Sequence, residues 1–109
     1  MTQEIKVQAS SGNVFADLGL ENSDELLMKA ELARKISSII TKQQMTQAQA
    51  AEVLGIDQPK VSALINGKLS GFSTVRLFRF LNALGRDVEI VVKTKPKSRL
   101  QAQTRVITT

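Results

Sequence analysis

The chain has 109 residues, enough for one small domain with a modest core, and it contains no cysteine and no histidine. Disulfides, the common zinc sites and histidine-based catalysis are therefore excluded, and we expect a cytoplasmic protein with no cofactor, metal, membrane span or enzymatic activity. The net charge is +5. All ten acidic residues precede Val91, whereas five of the fifteen basic residues follow it. This uneven distribution of charge suits a polyanionic partner on one side of the protein.

The first 21 residues are interpreted as a leader. Residues 13–20, NVFADLGL, predict a helical turn that docks on the body of the protein, with Phe15 and Leu18 as its anchors. The first 31 residues hold six acidic and two basic residues, so this part of the chain is also a candidate segment for binding a basic protein partner.

The body of the domain is predicted to span residues 22–86 and to begin with a long helix. Asn22 or Ser23 starts this helix, and acidic residues follow in its first turn, where they suit the positive end of the helix dipole. Its apolar side chains recur at helical spacing and predict a buried stripe that includes Leu26, Ala30, Ala33 and Ile40.

Residues 46–68 predict two short helices joined by a tight turn. Thr46 with Gln49 three residues later forms a capping box at the start of the first helix. Gly55 supplies the left-handed residue that ends this helix, and Asp57 is a natural N-cap for the next one. The residues expected to face a shared core are Ala51, Ile56, Val61 and Leu64.

Another helix is predicted to begin at Ser73 or Thr74 and to end at Gly85. Apolar residues cover most of its circumference, which is typical of a helix that is buried on two sides. We therefore expect one side of this helix in the core and another side, including Phe80, in a subunit contact.

Residues 87–93, DVEIVVK, are rich in β-branched side chains and predict a strand with Val88, Ile90 and Val92 on one face. A single strand leaves unpaired backbone groups, so we expect it to pair antiparallel with the same strand of a second copy. These three residues and Phe80 form the predicted dimer interface. Residues 94–109 are predicted to be a basic flexible tail that either wraps a phosphate backbone or only solubilises the chain.

The helix pair resembles the helix-turn-helix of Cro/CI-type regulators, the XRE family. The features that carry the resemblance are the small Ala51, the glycine four residues later and the apolar residues that follow at fixed spacing. The resemblance implies an all-α, lambda-repressor-like bundle of about five helices, with one C-terminal strand that pairs across a dimer. It also implies that the second helix of the pair enters the major groove of DNA. The FADLGL leader and the DVEIVV strand are similar to those of HigA-type antitoxins.

The resemblance also implies roles for individual residues. The amide of Gln58 can pair with adenine through two hydrogen bonds, and Lys60 can reach guanine or a phosphate. Pro59 departs from the polar residue that is more usual there, so specificity is expected to depend on DNA shape as well. The predicted base contacts are Gln58, Lys60, Ser62 and Ala63. The predicted phosphate contacts are Gln47, Asn66, Lys68, Lys42 and Arg76. For the last two, a solvated surface position is the better interpretation.

The function predicted from these features is sequence-specific repression of transcription by a homodimer on a palindromic operator of double-stranded DNA. The resemblance favours an antitoxin that autoregulates its operon and has a small ribonuclease toxin as its partner. One alternative is a free-standing or phage-type regulator. Another is a protein-interaction module that sequesters a basic partner through the acidic N-terminal part of the chain.

Overall fold

The computed structural model describes residues 23–109, and this part of the chain contains four α-helices and no β-strand. Helix α1 spans Ser23–Lys42, α2 spans Gln47–Leu54, α3 spans Gln58–Ile65 and α4 spans Thr74–Ala83. The helical turn predicted around Phe15 and Leu18 lies outside the described residues, so the described part does not reach the predicted count of five helices. None of the described helices is long and apolar enough to cross a membrane.

Side chains cap the start of the three shorter helices. Thr46 Oγ1 accepts a hydrogen bond from the Gln49 amide at 3.1 Å, and the Thr46 amide donates to Gln49 Oε1 at 2.9 Å, which confirms the predicted capping box. Asp57 Oδ1 accepts from the Lys60 amide at 3.0 Å, and Ser73 caps α4 in the same way. Each cap satisfies an amide that has no partner within its own helix.

The turn between α2 and α3 depends on the backbone of Gly55. This residue has φ 73° and ψ 30°, the left-handed conformation that the sequence predicts. Its amide donates to the carbonyl of Ala51 at 2.9 Å, and the Ile56 amide donates to the same carbonyl at 3.1 Å. Residues with a side chain adopt this conformation only at a cost, so glycine fixes the angle at which α3 leaves α2.

Gly55→Ala is expected to lower the free energy of unfolding by about 1–2 kcal/mol, because the new side chain would force alanine into the left-handed region. A Cβ at this position meets no atom within 4 Å, so the cost is conformational and not steric. Urea unfolding followed by circular dichroism measures the change. Gly71→Ala is the matched control, since a Cβ there also meets open space and the φ of Gly71 is not positive. An equal loss in both variants would contradict the role of the left-handed turn.

One hydrophobic core joins the four described helices. Val61 and Leu64, both predicted to face it, are 0% and 1% exposed, and Ala51 is buried beside them. Ile56 is half-buried and packs against the same core. The buried apolar residues are Leu32, Ala33, Ile36, Ile39, Ile40, Ala50, Ala51, Leu54, Val61, Leu64, Phe72, Leu77, Phe80, Leu81 and Leu84. The two short helices pack against each other, and α3 also packs against α1 whereas α2 also packs against α4.

The buried face of α1 differs from the predicted stripe at its first turns. Leu26 was expected in the core, but it is 49% exposed. Among the described residues, the buried positions of α1 begin at Lys29, whose Nζ lies 4.0 Å from Glu25 Oε2. The periodicity of a helix identifies a face, but it does not say how far along that face the neighbouring helices extend.

Phe80 is a core residue and not a subunit contact. It is 4% exposed, and its ring meets that of Phe72 edge-to-face with centroids 5.9 Å apart and an interplanar angle of 76°. Almost none of its surface is left for a partner, which corrects its place in the predicted dimer interface. Apolar residues surround most of α4, but they are not all buried, since Val75 is 57% exposed.

Residues 87–93 form no strand within the described part of the chain. No backbone hydrogen bond connects this stretch to other described residues, and a strand exists only when its ladder has a partner. Val88 is half-buried and packs against the core, whereas Ile90 and Val92 are exposed. The β-branched pattern is therefore present without the pairing that was expected to accompany it.

The last residues return to the body of the domain, which the sequence did not predict. Val106 is half-buried against the core, and Lys35 Nζ donates to the carbonyl of Thr109 at 3.1 Å. Between these contacts and Val88, the chain also bends on itself, where Lys95 Nζ donates to the carbonyl of Arg99 at 2.6 Å.

Candidate nucleic-acid interface

Helix α3 has one buried face and one exposed face. Val61 and Leu64 fix the helix to the core, while Gln58 and Lys60 lie exposed in its first turn. Asp57 holds this turn through its hydrogen bond to the Lys60 amide. Two polar side chains are thus displayed from a helix terminus that is rigid because it is capped and because the opposite face is packed.

The side chains of Gln58 and Lys60 have no protein partner among the described residues. No hydrogen bond or ion pair in this part of the chain engages either of them. The Gln58 amide keeps two donors and a carbonyl acceptor, and the Lys60 ammonium keeps three donors. These are the groups that adenine and guanine edges match in the major groove.

Ser62 and Asn66 are connected by a hydrogen bond between their side chains. Asn66 Nδ2 donates to Ser62 Oγ at 3.3 Å, across one turn of α3. The bond occupies one acceptor site of the hydroxyl and leaves its proton free to donate to a ligand. The spacing of four residues on a helix was the signal that could have predicted this pair.

Ala63 is the predicted base contact with the least free surface. It is half-buried and packs against the core, so only part of its methyl group remains for a thymine. The carbonyl of Ala63 accepts a hydrogen bond from the Lys68 amide at 2.8 Å. This bond, together with the left-handed Gly67, fixes the backbone that carries Lys68 at the end of the helix.

The candidate phosphate contacts lie at the ends of helices. Gln47 is the first residue of α2, Lys42 is the last residue of α1, and Lys68 follows α3. All three are exposed, and no described ion pair neutralises either lysine. Donors at an exposed helix start and cations on short connections are suitable ligands for backbone phosphates.

Arg76 is in a different situation from these residues. Its guanidinium carbon lies 5.6 Å from the ring centroid of Phe72 and 5.7 Å from that of Phe80, and the side chain is half-buried. Such cation–π contacts hold the arginine against the core. The structure therefore gives Arg76 a packing role in addition to its predicted place among the phosphate contacts.

The described residues hold no group of three or more side chains able to bind a metal ion. What they bring together is a capped helix that carries amide, hydroxyl and ammonium groups without other protein partners on its first two turns. Exposed donors at the ends of the neighbouring helices accompany it. This arrangement can form hydrogen bonds with base edges and with phosphate oxygens.

Comparison with known proteins agrees with this geometry. The helix-turn-helix domain family matches the chain over residues 14–93. A solved structure provisionally described as an XRE family transcriptional regulator is 47% identical, with a TM-score of 0.78, and the match covers 82% of this chain and 100% of that chain. Among curated proteins, none is significantly similar. The chain therefore belongs to the helix-turn-helix domain family and, within it, is of the XRE type.

Proposed function

We propose that the protein is a sequence-specific transcriptional repressor that places α3 in the major groove of DNA. The observation that carries this proposal is the pair of exposed, unpartnered side chains, Gln58 and Lys60, on the capped first turn of a helix packed from behind. The similarity to a protein described as a transcriptional regulator supports it. A helix held this way presents its first residues to base edges without reorganising.

Base recognition is assigned to the first two turns of α3. Gln58 pairs with an adenine through N6 and N7, and Lys60 donates to guanine or to a nearby phosphate. Ser62 donates its free proton to a base or backbone oxygen while Asn66 holds its oxygen in place. Few of these contacts read a base through two hydrogen bonds, so DNA shape supplies a further part of the specificity.

Phosphate contacts set the position of α3 in the groove. Gln47, Lys42, Lys68 and Asn66 are assigned to this role, and Arg76 is retained as a weaker candidate because its charge lies against two rings. Contacts of this kind fix the register and orientation of the protein but carry no sequence information directly. Repression then follows from occupation of the promoter.

We extend the proposal to an antitoxin that represses its own operon and binds a small ribonuclease toxin. Its support is the likeness of the FADLGL and DVEIVV segments to HigA-type antitoxins, and the first of these lies outside the described residues. Co-expression with the product of the neighbouring reading frame tests it. We expect a stable complex and loss of that product's toxicity. Unchanged toxicity would leave a free-standing regulator as the better account.

Selection of duplexes from a randomised library tests the proposal of DNA recognition. We expect enrichment of a palindrome whose half-sites lie about one helical turn apart, with adenine at one position of each half-site. The selected duplex should bind at least about a thousandfold more tightly than random DNA at the same salt concentration. Failure to enrich any sequence would contradict sequence-specific binding.

Lys68→Ala is expected to weaken binding to the selected duplex and to random DNA by similar factors. The variant should also reduce the slope of the logarithm of affinity against the logarithm of salt concentration by about 1, because one phosphate contact is lost. Fluorescence anisotropy over a range of salt concentrations measures both quantities. Arg79→Ala removes the same charge from an exposed position on α4 and serves as the control. Equal slopes for the two variants would exclude Lys68 from the phosphate contacts.

A further inference from the structure

Each of the four described helices is followed, within two residues, by a residue in the left-handed backbone conformation. After α2, α3 and α4 this residue is a glycine, namely Gly55, Gly67 and Gly85. After α1 it is Gln44, with φ 57°, and no other residue with a side chain has a positive φ in the described part of the chain. Glycine adopts this conformation readily, whereas residues with a side chain adopt it only at a cost in free energy.

The hydrogen bonds at the end of α1 require this conformation of Gln44. The Met45 amide donates to the carbonyl of Ile40 at 3.1 Å, and the Gln44 amide donates to that of Thr41 at 3.0 Å. The same pair of bonds closes the ends of α3 and α4, where a glycine stands in the place of Gln44. A glycine would therefore form the same helix end with less strain.

Contacts within the protein do not account for the side chain of Gln44. The residue is exposed, and its side-chain amide forms no hydrogen bond with another described residue. The next residue, Met45, is half-buried and packs against the core, so the backbone on this side is fixed. Gln44 therefore extends two donors and a carbonyl acceptor from a rigid turn into solvent.

Gln44 lies between two residues that are already assigned to phosphates. Lys42, two residues earlier, is the last residue of α1, and Gln47, three residues later, is the first residue of α2. Both are exposed and border the same short connection. Residues held in uncommon backbone conformations concentrate at binding sites, where the surrounding structure keeps them in place. The strain of Gln44 and its position thus point to the same ligand.

We propose that Gln44 is a further DNA-contacting residue, whose side-chain amide donates a hydrogen bond to a phosphate oxygen of the duplex. The chain thereby forgoes the stability that a glycine would give and gains affinity for DNA. A neutral amide releases no counterion from the DNA, because only a cation neutralises a phosphate. The contribution of Gln44 to binding is therefore the same at low and at high salt, unlike that of Lys42 or Lys68.

This inference rests on the proposed function, because it adds one residue to the same interface. The two nevertheless fail in different ways. If the unmodified chain binds no duplex, DNA recognition fails and the contact of Gln44 fails with it. If the unmodified chain binds DNA and variants of Gln44 bind it equally well, only the contact fails.

Two substitutions of Gln44 separate its side chain from the strain of its backbone. Gln44→Gly removes both the amide group and the strain, so it should raise the Tm by roughly 4–8 °C. Gln44→Ala removes the amide group but keeps a side chain in the left-handed region, so its Tm should stay close to that of the unmodified chain. Thermal unfolding followed by circular dichroism measures both. A Gln44→Gly variant that is no more stable than the unmodified chain would overturn the strain on which the proposal depends.

DNA binding of the same two variants tests the contact itself. Gln44→Gly and Gln44→Ala should each bind the selected duplex and random DNA about tenfold more weakly, because each loses a hydrogen bond to a charged oxygen. The slope of the logarithm of affinity against the logarithm of salt concentration should not change. Fluorescence anisotropy over a range of salt concentrations measures both quantities. The loss is then independent of stability, which rises in only one of the two variants.

Gln43→Gly is the matched control for backbone flexibility. It places a glycine at the adjacent exposed residue, whose φ is not positive, so it should lower the Tm and leave the affinity for DNA unchanged. Unchanged affinity in both variants of Gln44 would overturn the contact. A loss in Gln44→Gly with none in Gln44→Ala, or an equal loss in Gln43→Gly, would also overturn it, because a loosened turn would then explain the effect.

Discussion

Leu64→Ala is expected to lower the free energy of unfolding by about 2–5 kcal/mol, because it removes a large side chain from the core and leaves a cavity. Leu64 is 1% exposed and lies on the face of α3 that packs against the other helices. Small domains are stable by only about 5–15 kcal/mol, so the loss is a large fraction of the total. Urea unfolding followed by circular dichroism measures it.

Ile65→Ala is the matched control for this substitution. Ile65 is the next residue of the same helix and is 39% exposed, so shortening it should cost less than about 1 kcal/mol. The two variants separate burial from helix propensity, because both place alanine in α3. Similar losses for Leu64→Ala and Ile65→Ala would mean that α3 does not pack on the face described.

Gln58→Ala is expected to cost about 1–3 kcal/mol of binding to the selected duplex, which corresponds to roughly a 5- to 150-fold loss of affinity. The reason is that the variant loses both hydrogen bonds to one adenine in each half-site. Binding to random DNA should be nearly unchanged, because Gln58 is not assigned to a phosphate. Fluorescence anisotropy at one fixed salt concentration measures both affinities.

Gln58→Ala should have the same free energy of unfolding as the unmodified chain. Gln58 is exposed, and its side chain forms no hydrogen bond within the described part of the protein. Gln103→Ala makes the same chemical change at an exposed position of the C-terminal segment and serves as the control for binding. If both variants bind the selected duplex as tightly as the unmodified chain, Gln58 does not read a base.

The elements that depend on neighbouring residues could be predicted from the sequence. Thr46 with Gln49, Asp57 and Ser73 cap helices through side chains that reach backbone groups three residues away, so the necessary atoms are local. Gly55 takes the left-handed conformation for a reason contained in its own lack of a Cβ. The start and the turn of the helix pair were therefore accessible without any knowledge of packing.

The elements that depend on distant residues could not be predicted in the same way. Leu26 repeats the helical spacing of its buried neighbours, yet no described helix covers it. Phe80 appeared to be in excess of what one core could bury, but the core accommodates it against Phe72. Residues 87–93 have the composition of a strand, whereas a strand requires a partner that composition does not supply.

The candidate site shows the same division. The sequence correctly placed Gln58 and Lys60 in the first turn of an exposed helix face, because caps and apolar offsets determine that face. It missed the hydrogen bond between Asn66 and Ser62, although their spacing permits it. The cation–π contacts of Arg76 with two rings depend on the fold and had no signal in the local sequence.

The most direct measurement is photocross-linking from the exposed face of α3. The Lys60→Cys variant, labelled on its cysteine with an aryl azide, would be bound to the selected duplex and irradiated. Arg79→Cys on α4, labelled in the same way, is the control. Each variant has a single labelling site, because the unmodified chain contains no cysteine. Cross-links from position 60 to bases inside the selected sequence, and none from position 79, are the predicted result. Cross-links from position 79 with none from position 60 would show that another surface faces the DNA.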